Sequence, residues 1–270
     1  MLGNRLLFEA FEFYVWQKDI VLGLQKTFMT ALALITLSLP VFAQEVPAEP
    51  PVPAKRPADL AETAREEKAE AKVQQEDAAS LQTEDDVAFQ QCISSLKALG
   101  AEFRSLETIN DAGVCGIDKP IEVSVALEGV DLEPDATMRC ETALQLARWA
   151  RGYVDPSAKV AMGTDVRLTE IRQASAYVCR NRNNRSGGKL SEHARGNAID
   201  IRSLTFSNGQ SVDMVPRKKA SNITGAFQRT ISAAACLYFT TVLSPGSDAT
   251  HQDHMHLDVI KRGGGYRYCR

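Results

Sequence analysis

Histidine is scarce in this chain, with four in 270 residues. Other features are missing altogether. No cysteine stands in a CxxC pair, and none lies in the two segments that hold the histidines, which argues against a zinc-finger type of structural site. There is no internal repeat, which sets a solenoid aside. There is no basic stripe interleaved with aromatics and no nucleic-acid motif, so nucleic acid is not an expected partner. The apolar run from Thr30 to Val41 falls short of the ~20 residues a membrane helix needs.

What is present is ordinary for a globular chain: 44% hydrophobic and 24% charged residues. The net charge of −3 hides a division. Residues 44–87 carry 12 acidic against 5 basic side chains, whereas residues 88–270 carry 19 against 23. A modest positive excess suits an anionic surface or a substrate carboxylate.

The six cysteines, Cys92, Cys115, Cys140, Cys179, Cys236 and Cys269, all fall after the acidic stretch. An even count at wide spacing implies up to three disulfides in an exported protein. The N-terminus agrees with export. The run from Thr30 to Val41 has the length of a signal-peptide apolar region, Lys26 precedes it, and Val41-Phe42-Ala43 resembles a cleavage site. The acids Glu9, Glu12 and Asp19 are foreign to such a leader, which favours a translation start at Met29. An uncleaved segment would instead tether the chain to a membrane.

Residues 1–43 are therefore expected to be an N-terminal extension plus signal peptide. Residues 44–87, with five prolines between Pro47 and Pro57 and an Ala/Glu/Lys-rich continuation, are expected to form an acidic disordered tether. Residues 88–270 are long enough for a proper core. In "ATMRCETALQLARWARGYV" (136–154) the apolar residues follow a helical stripe, with Asp135 as a cap. A second helix starts in 221–243 with Ser221 as a candidate cap, and its tail turns strand-like. Strands are expected at 121–127, 165–172, 197–204 and 254–260, and Asn208-Gly209 marks a hairpin turn. This mixture predicts an α+β fold.

The histidines are grouped. His251, His254 and His256 lie in "HQDHMHLD" (251–258), and His193 lies in "SEHARGNAID" (191–200). On a strand, His254, His256 and Asp258 share one face because side chains alternate. Asp200 sits in the apolar strand "AIDI", where a carboxylate is costly to bury unless something pairs with it. Gly196, between His193 and Asp200, allows a close backbone approach. Two imidazoles, one carboxylate and an open fourth position make up a common catalytic zinc set.

These residues resemble known families. "SEHARGNAID" is similar to the SxHxxGxAxD pattern of zinc D-Ala-D-Ala dipeptidases and carboxypeptidases. "HQDHMH" is similar to the HxxHxH arrangement of penicillin-insensitive murein endopeptidases. "SAYVCRNRNNRSGGKLSEHARGNAIDI" and "CLYFTTVLSPGSDATHQDHMHLDV" resemble the bacterial extensin-like C-terminal domain family over about 90–270. The chain has none of the Ser-Pro repeats of plant extensin, so that name carries no functional weight.

The resemblance implies an antiparallel sheet flanked by helices, holding one Zn2+ on His193, Asp200 and His256. It gives His254 the role of base, with His251 assisting. Asp253 stands where the dipeptidases carry a basic glutamate, so three groups compete for the proton. Arg180 matches an arginine that binds substrate carbonyl or carboxylate, and Ser191 matches a serine that orients the first ligand. The resemblance also implies a Cys179–Cys269 disulfide at the site's margin. Cys92–Cys115 is then a local candidate, which leaves Cys140–Cys236. The function implied is an exported, periplasmic zinc peptidase acting on peptidoglycan stem peptides or cross-links. The competing readings are a non-catalytic zinc-containing wall-binding module and a zinc hydrolase of another amide or ester. Nothing in the sequence sets the oligomeric state.

Overall fold

The computed structural model describes residues 81–111 and 114–270. The expected signal peptide and most of the expected tether lie outside these residues. The tether's last residues do not: α1 (Asp86–Ala98) begins there, with the Asp85 side chain accepting from Ala88 N at its N-terminus. Gln82 and Glu84 already reach Arg139 across the fold.

Strands β1 (Glu102–Ser105), β4 (Pro120–Leu127), β5 (Val130–Arg139), β6 (Leu168–Ser175), β7 (Ala198–Phe206), β8 (Ser211–Asp213), β9 (Thr241–Leu243), β10 (Met255–Asp258) and β11 (Tyr268–Cys269) form one sheet. Its order is β1-β4-β5-β6-β7-β10-β9-β11, with β8 beside β7. The short strands β2 (Ile109–Asp111) and β3 (Cys115–Ile117) pair separately. The helices are α2 (Cys140–Trp149), α3 (Asp155–Met162) and α4 (Ile223–Ala235), with one π turn joining α2 to α3.

The α+β class is therefore correct, but the sheet is mixed rather than antiparallel. β5 and β6 run parallel, as do β9 and β11. The first parallel pair follows from the chain path, because α2 and α3 supply the long crossover that parallel strands require. The expected helix over 136–154 starts late. Ala136 and Met138 are buried at strand spacing in β5, which pairs with β4 as far as Arg139. Asp135 lies within β5 and caps nothing. The helical stripe holds from Cys140 onward, where Ala143, Leu144, Leu146 and Ala147 are buried. In α4 the cap is Asn222, whose side chain accepts from Gly225 N, rather than Ser221.

Helices cover one face of the sheet. Trp149 of α2 is fully buried there and its indole N–H donates to Ile231 O of α4 at 2.9 Å. Ile199, Ile201, Met255 and Leu257 belong to the same apolar core. By alternation, Asp200, His256 and Asp258 point to the opposite face.

Three disulfides form, with pairings other than those expected. Cys92–Cys140 joins α1 to α2, which pack together, at a Cα–Cα distance of 6.1 Å. Cys115–Cys179 joins β3 to the segment after β6 at 5.5 Å. Cys236–Cys269 joins the end of α4 to β11 at 6.1 Å, because β11 lies alongside β9, the strand that follows α4. Three disulfides fit an oxidising, extracellular environment. No helix among the described residues is long and apolar enough to cross a membrane.

Candidate metal centre

The site is assembled by strand pairing. β7 and β10 run antiparallel with Asp200 directly opposite His256, so carboxylate and imidazole meet across one rung. His193 arrives on a 3-10 turn (Glu192–Arg195) that ends at Gly196 with φ +68°. A Cβ at Gly196 would lie 2.4 Å from Ile117 Cδ1 and 3.1 Å from Arg139 N. Only glycine fits there, and its carbonyl accepts from Arg139 N and Thr142 Oγ1. That docking holds the turn against β3 and the junction of β5 with α2.

The outer nitrogens decide what the inner ones can do. His193 Nδ1–H donates to Ala176 O at 2.7 Å, which leaves Nε2 as a lone pair facing inward. His256 Nε2–H donates to Asp258 Oδ2 at 3.1 Å, which leaves Nδ1 facing inward. The two inward nitrogens are 3.2 Å apart. Asp200 lies 3.2 Å from His193 Nε2 through Oδ2 and 2.9 Å from His256 Nδ1 through Oδ1.

Two lone pairs and a carboxylate converging at these distances repel unless a proton or a cation sits among them. Tetrahedral zinc with bonds of about 2.0–2.1 Å would space its donors about 3.3 Å apart. The donor set and its spacing therefore fit such an ion. Without a metal, the cluster holds a proton instead. Burial pushes the His256 imidazolium down, but Asp200 and Asp258 outweigh it and raise its pKa to about 9. Burial likewise opposes ionisation of Asp200, yet hydrogen bonds with His193 and His256 hold its carboxyl well below the usual range.

Around this trio lie the remaining residues singled out from sequence. His254 stands just before β10. Its Nδ1–H donates to Asp253 Oδ1 at 3.0 Å and its Nε2 lies 3.9 Å from Asp200 Oδ2. Asp253 also accepts from Arg202 at 2.8 Å, and these two bonds direct its carboxylate toward Arg202 and His254. His251 packs 5.1 Å from the His254 ring and 5.9 Å from the His256 ring, with Nδ1–H donating to Asp248 at 2.7 Å. Burial pushes the His251 imidazole below its ordinary pKa, against the pull of Asp248.

Arg180 lies at the base of the loop before His193, where its carbonyl accepts from Ser191 N. Its guanidinium has no hydrogen-bond or ion-pair partner among the described residues. Ser191 is buried, and its backbone starts the 3-10 turn without a side-chain cap bond. The orienting of His193 falls to Ala176 O.

Sequence reasoning did not give roles to Asp258, Asp248 or Arg202. Asp258 had a signal, since it shares the strand face of His256. Asp248 had a weaker one: an aspartate three residues before a histidine can form the local turn in which its carboxylate accepts from Thr250 N and His251 N.

Comparison with known proteins gave one result. Neither curated proteins nor solved structures returned a match. The model of a family described as extensin-like protein C-terminus matches residues 90–270, which takes in every site residue described above. The chain belongs to the extensin-like protein C-terminus family.

Proposed function

We propose that this chain is an exported zinc peptidase that hydrolyses amide bonds of peptidoglycan stem peptides or cross-links, in the manner of DD-carboxypeptidases or endopeptidases. The observation that carries this reading is the convergence of two imidazole lone pairs and a buried carboxylate at 2.9–3.2 Å, with both outer N–H groups already used. His193, Asp200 and His256 would hold one Zn2+. When bound, zinc lowers the pKa of a coordinated water to near 7 and polarises a carbonyl.

The chain's own residues then divide the remaining work. His254, with Nδ1–H committed to Asp253, presents Nε2 toward the cluster. It takes a proton there and returns it to the leaving amine. His251, fixed by Asp248, shields that face and assists. Arg180 binds a substrate carbonyl or carboxylate with its guanidinium. Asp253 is the orienter of His254 in this reading, because Arg202 and His254 claim its carboxylate. The signal segment at 29–43 delivers the chain to the periplasm, and the acidic stretch serves as a solubilising spacer.

The test is digestion of purified sacculi by the zinc-loaded chain, with released D-Ala and muropeptides read by mass spectrometry. Release that stops on chelation and in His254→Ala supports the reading. Sacculi that bind the zinc-loaded wild type but stay uncut would overturn it in favour of a wall-binding module.

A further inference from the structure

The geometry points to Asp258 as a positioning residue that fixes which nitrogen of His256 faces the metal site. The inference rests on the zinc reading above and concerns a residue outside the ligand set.

A neutral imidazole places its proton on either nitrogen, and only one choice makes His256 a ligand here. β10 puts Nδ1 against Asp200 and His193, so the proton must sit on Nε2. Asp258 Oδ2 is 3.1 Å from Nε2 and accepts only from a protonated nitrogen. Asp258 is itself immobilised. It is buried on β10, and its Oδ1 accepts from Ile260 N at 3.1 Å. Thr241 is its register partner on β9, and the Thr241 hydroxyl oxygen accepts from Arg262 at 2.6 Å.

His256 Nε2–H thus donates to a buried carboxylate whose other oxygen is held by the Ile260 backbone. A carboxylate in this position also makes the ring a stronger donor toward a cation. A merely structural aspartate would need no contact with the ligand's outer nitrogen. Removal of Asp258 leaves Nε2–H without a partner, and the proton then moves to Nδ1, where it points into the site and blocks coordination.

The experiment uses the full chain carrying Asp258→Ala or Asp258→Asn, with two readouts. Zinc affinity is measured by competition with a chromophoric chelator. Asp258→Ala is expected to weaken it by about 100-fold and Asp258→Asn, which keeps an acceptor oxygen, by about 10-fold. Nitrogen-15 spectra of the metal-free protein, followed into the alkaline range, report the proton's position. Relative to wild type, Asp258→Ala is expected to shift the His256 proton toward Nδ1. Where the alanine variant fails to fold, the near-isosteric asparagine variant carries both readouts. Unchanged affinity together with an unchanged proton position on His256 overturns the proposal. A wild type that takes no zinc contradicts the zinc reading instead, and the metal-free spectra still decide the role of Asp258.

Discussion

His193 and Asp200 are buried and His256 half-buried, all on or against paired strands, whereas His251, His254 and Asp253 occupy the loop ahead of β10. The inner group is placed by backbone: a β7–β10 rung, a glycine-terminated turn, and a carbonyl that accepts from His193. The outer group is placed by side chains, through Asp248–His251, Asp253–His254 and Arg202–Asp253 contacts near the surface. The first arrangement suits preorganised binding of an ion. The second leaves room for a ring that must exchange protons with a substrate.

The sharpest way to break this comparison is to remove one histidine from each side. His254→Ala is expected to retain the metal while peptide turnover falls by about 10²–10⁴-fold. His193→Ala is expected to lose the metal, measured as zinc per folded chain. Metal loss in the first variant, or retention in the second, would erase the distinction between the groups.

Acidity offers a finer probe. The metal-free inner cluster holds a proton on His256 up to about pH 9, and zinc must displace it. Zinc affinity should therefore climb as pH rises toward that value and level off above it. Chelator competition from pH 6 to 10 checks this, and a flat profile would place the ion elsewhere. The smallest effect belongs to the rim. Arg202→Ala opens an exposed ion pair and should shift unfolding by no more than about 1 kcal/mol in a denaturant titration.

The site was more legible than the scaffold that holds it. Strand alternation alone put His256 and Asp258 on one face, and the costly burial of Asp200 announced a partner. Both are local properties of short segments. The disulfides were not legible because they depend on packing: nothing near Cys92 says that α1 will lie on α2 beside Cys140. The start of α2 was missed because Met138 was read into the apolar stripe that continues at Ala143, and pairing with β4 assigns it to β5 instead. The parallel β5–β6 pair was hidden for the same reason, since register between distant strands leaves no periodic mark. The start of α1 lay inside a charged run that read as tether, and the tie just ahead of it, Glu84 to Arg139, is a long-range contact.

The central claim is that the inner group binds one ion through two imidazoles and a carboxylate. Zinc content of the purified chain, combined with X-ray absorption at the zinc edge, tests it most directly. The account predicts one zinc per chain with two imidazole nitrogens and carboxylate oxygen among its ligands. A well-folded chain that takes up no zinc when it is supplied, or binds it without imidazole, would contradict it.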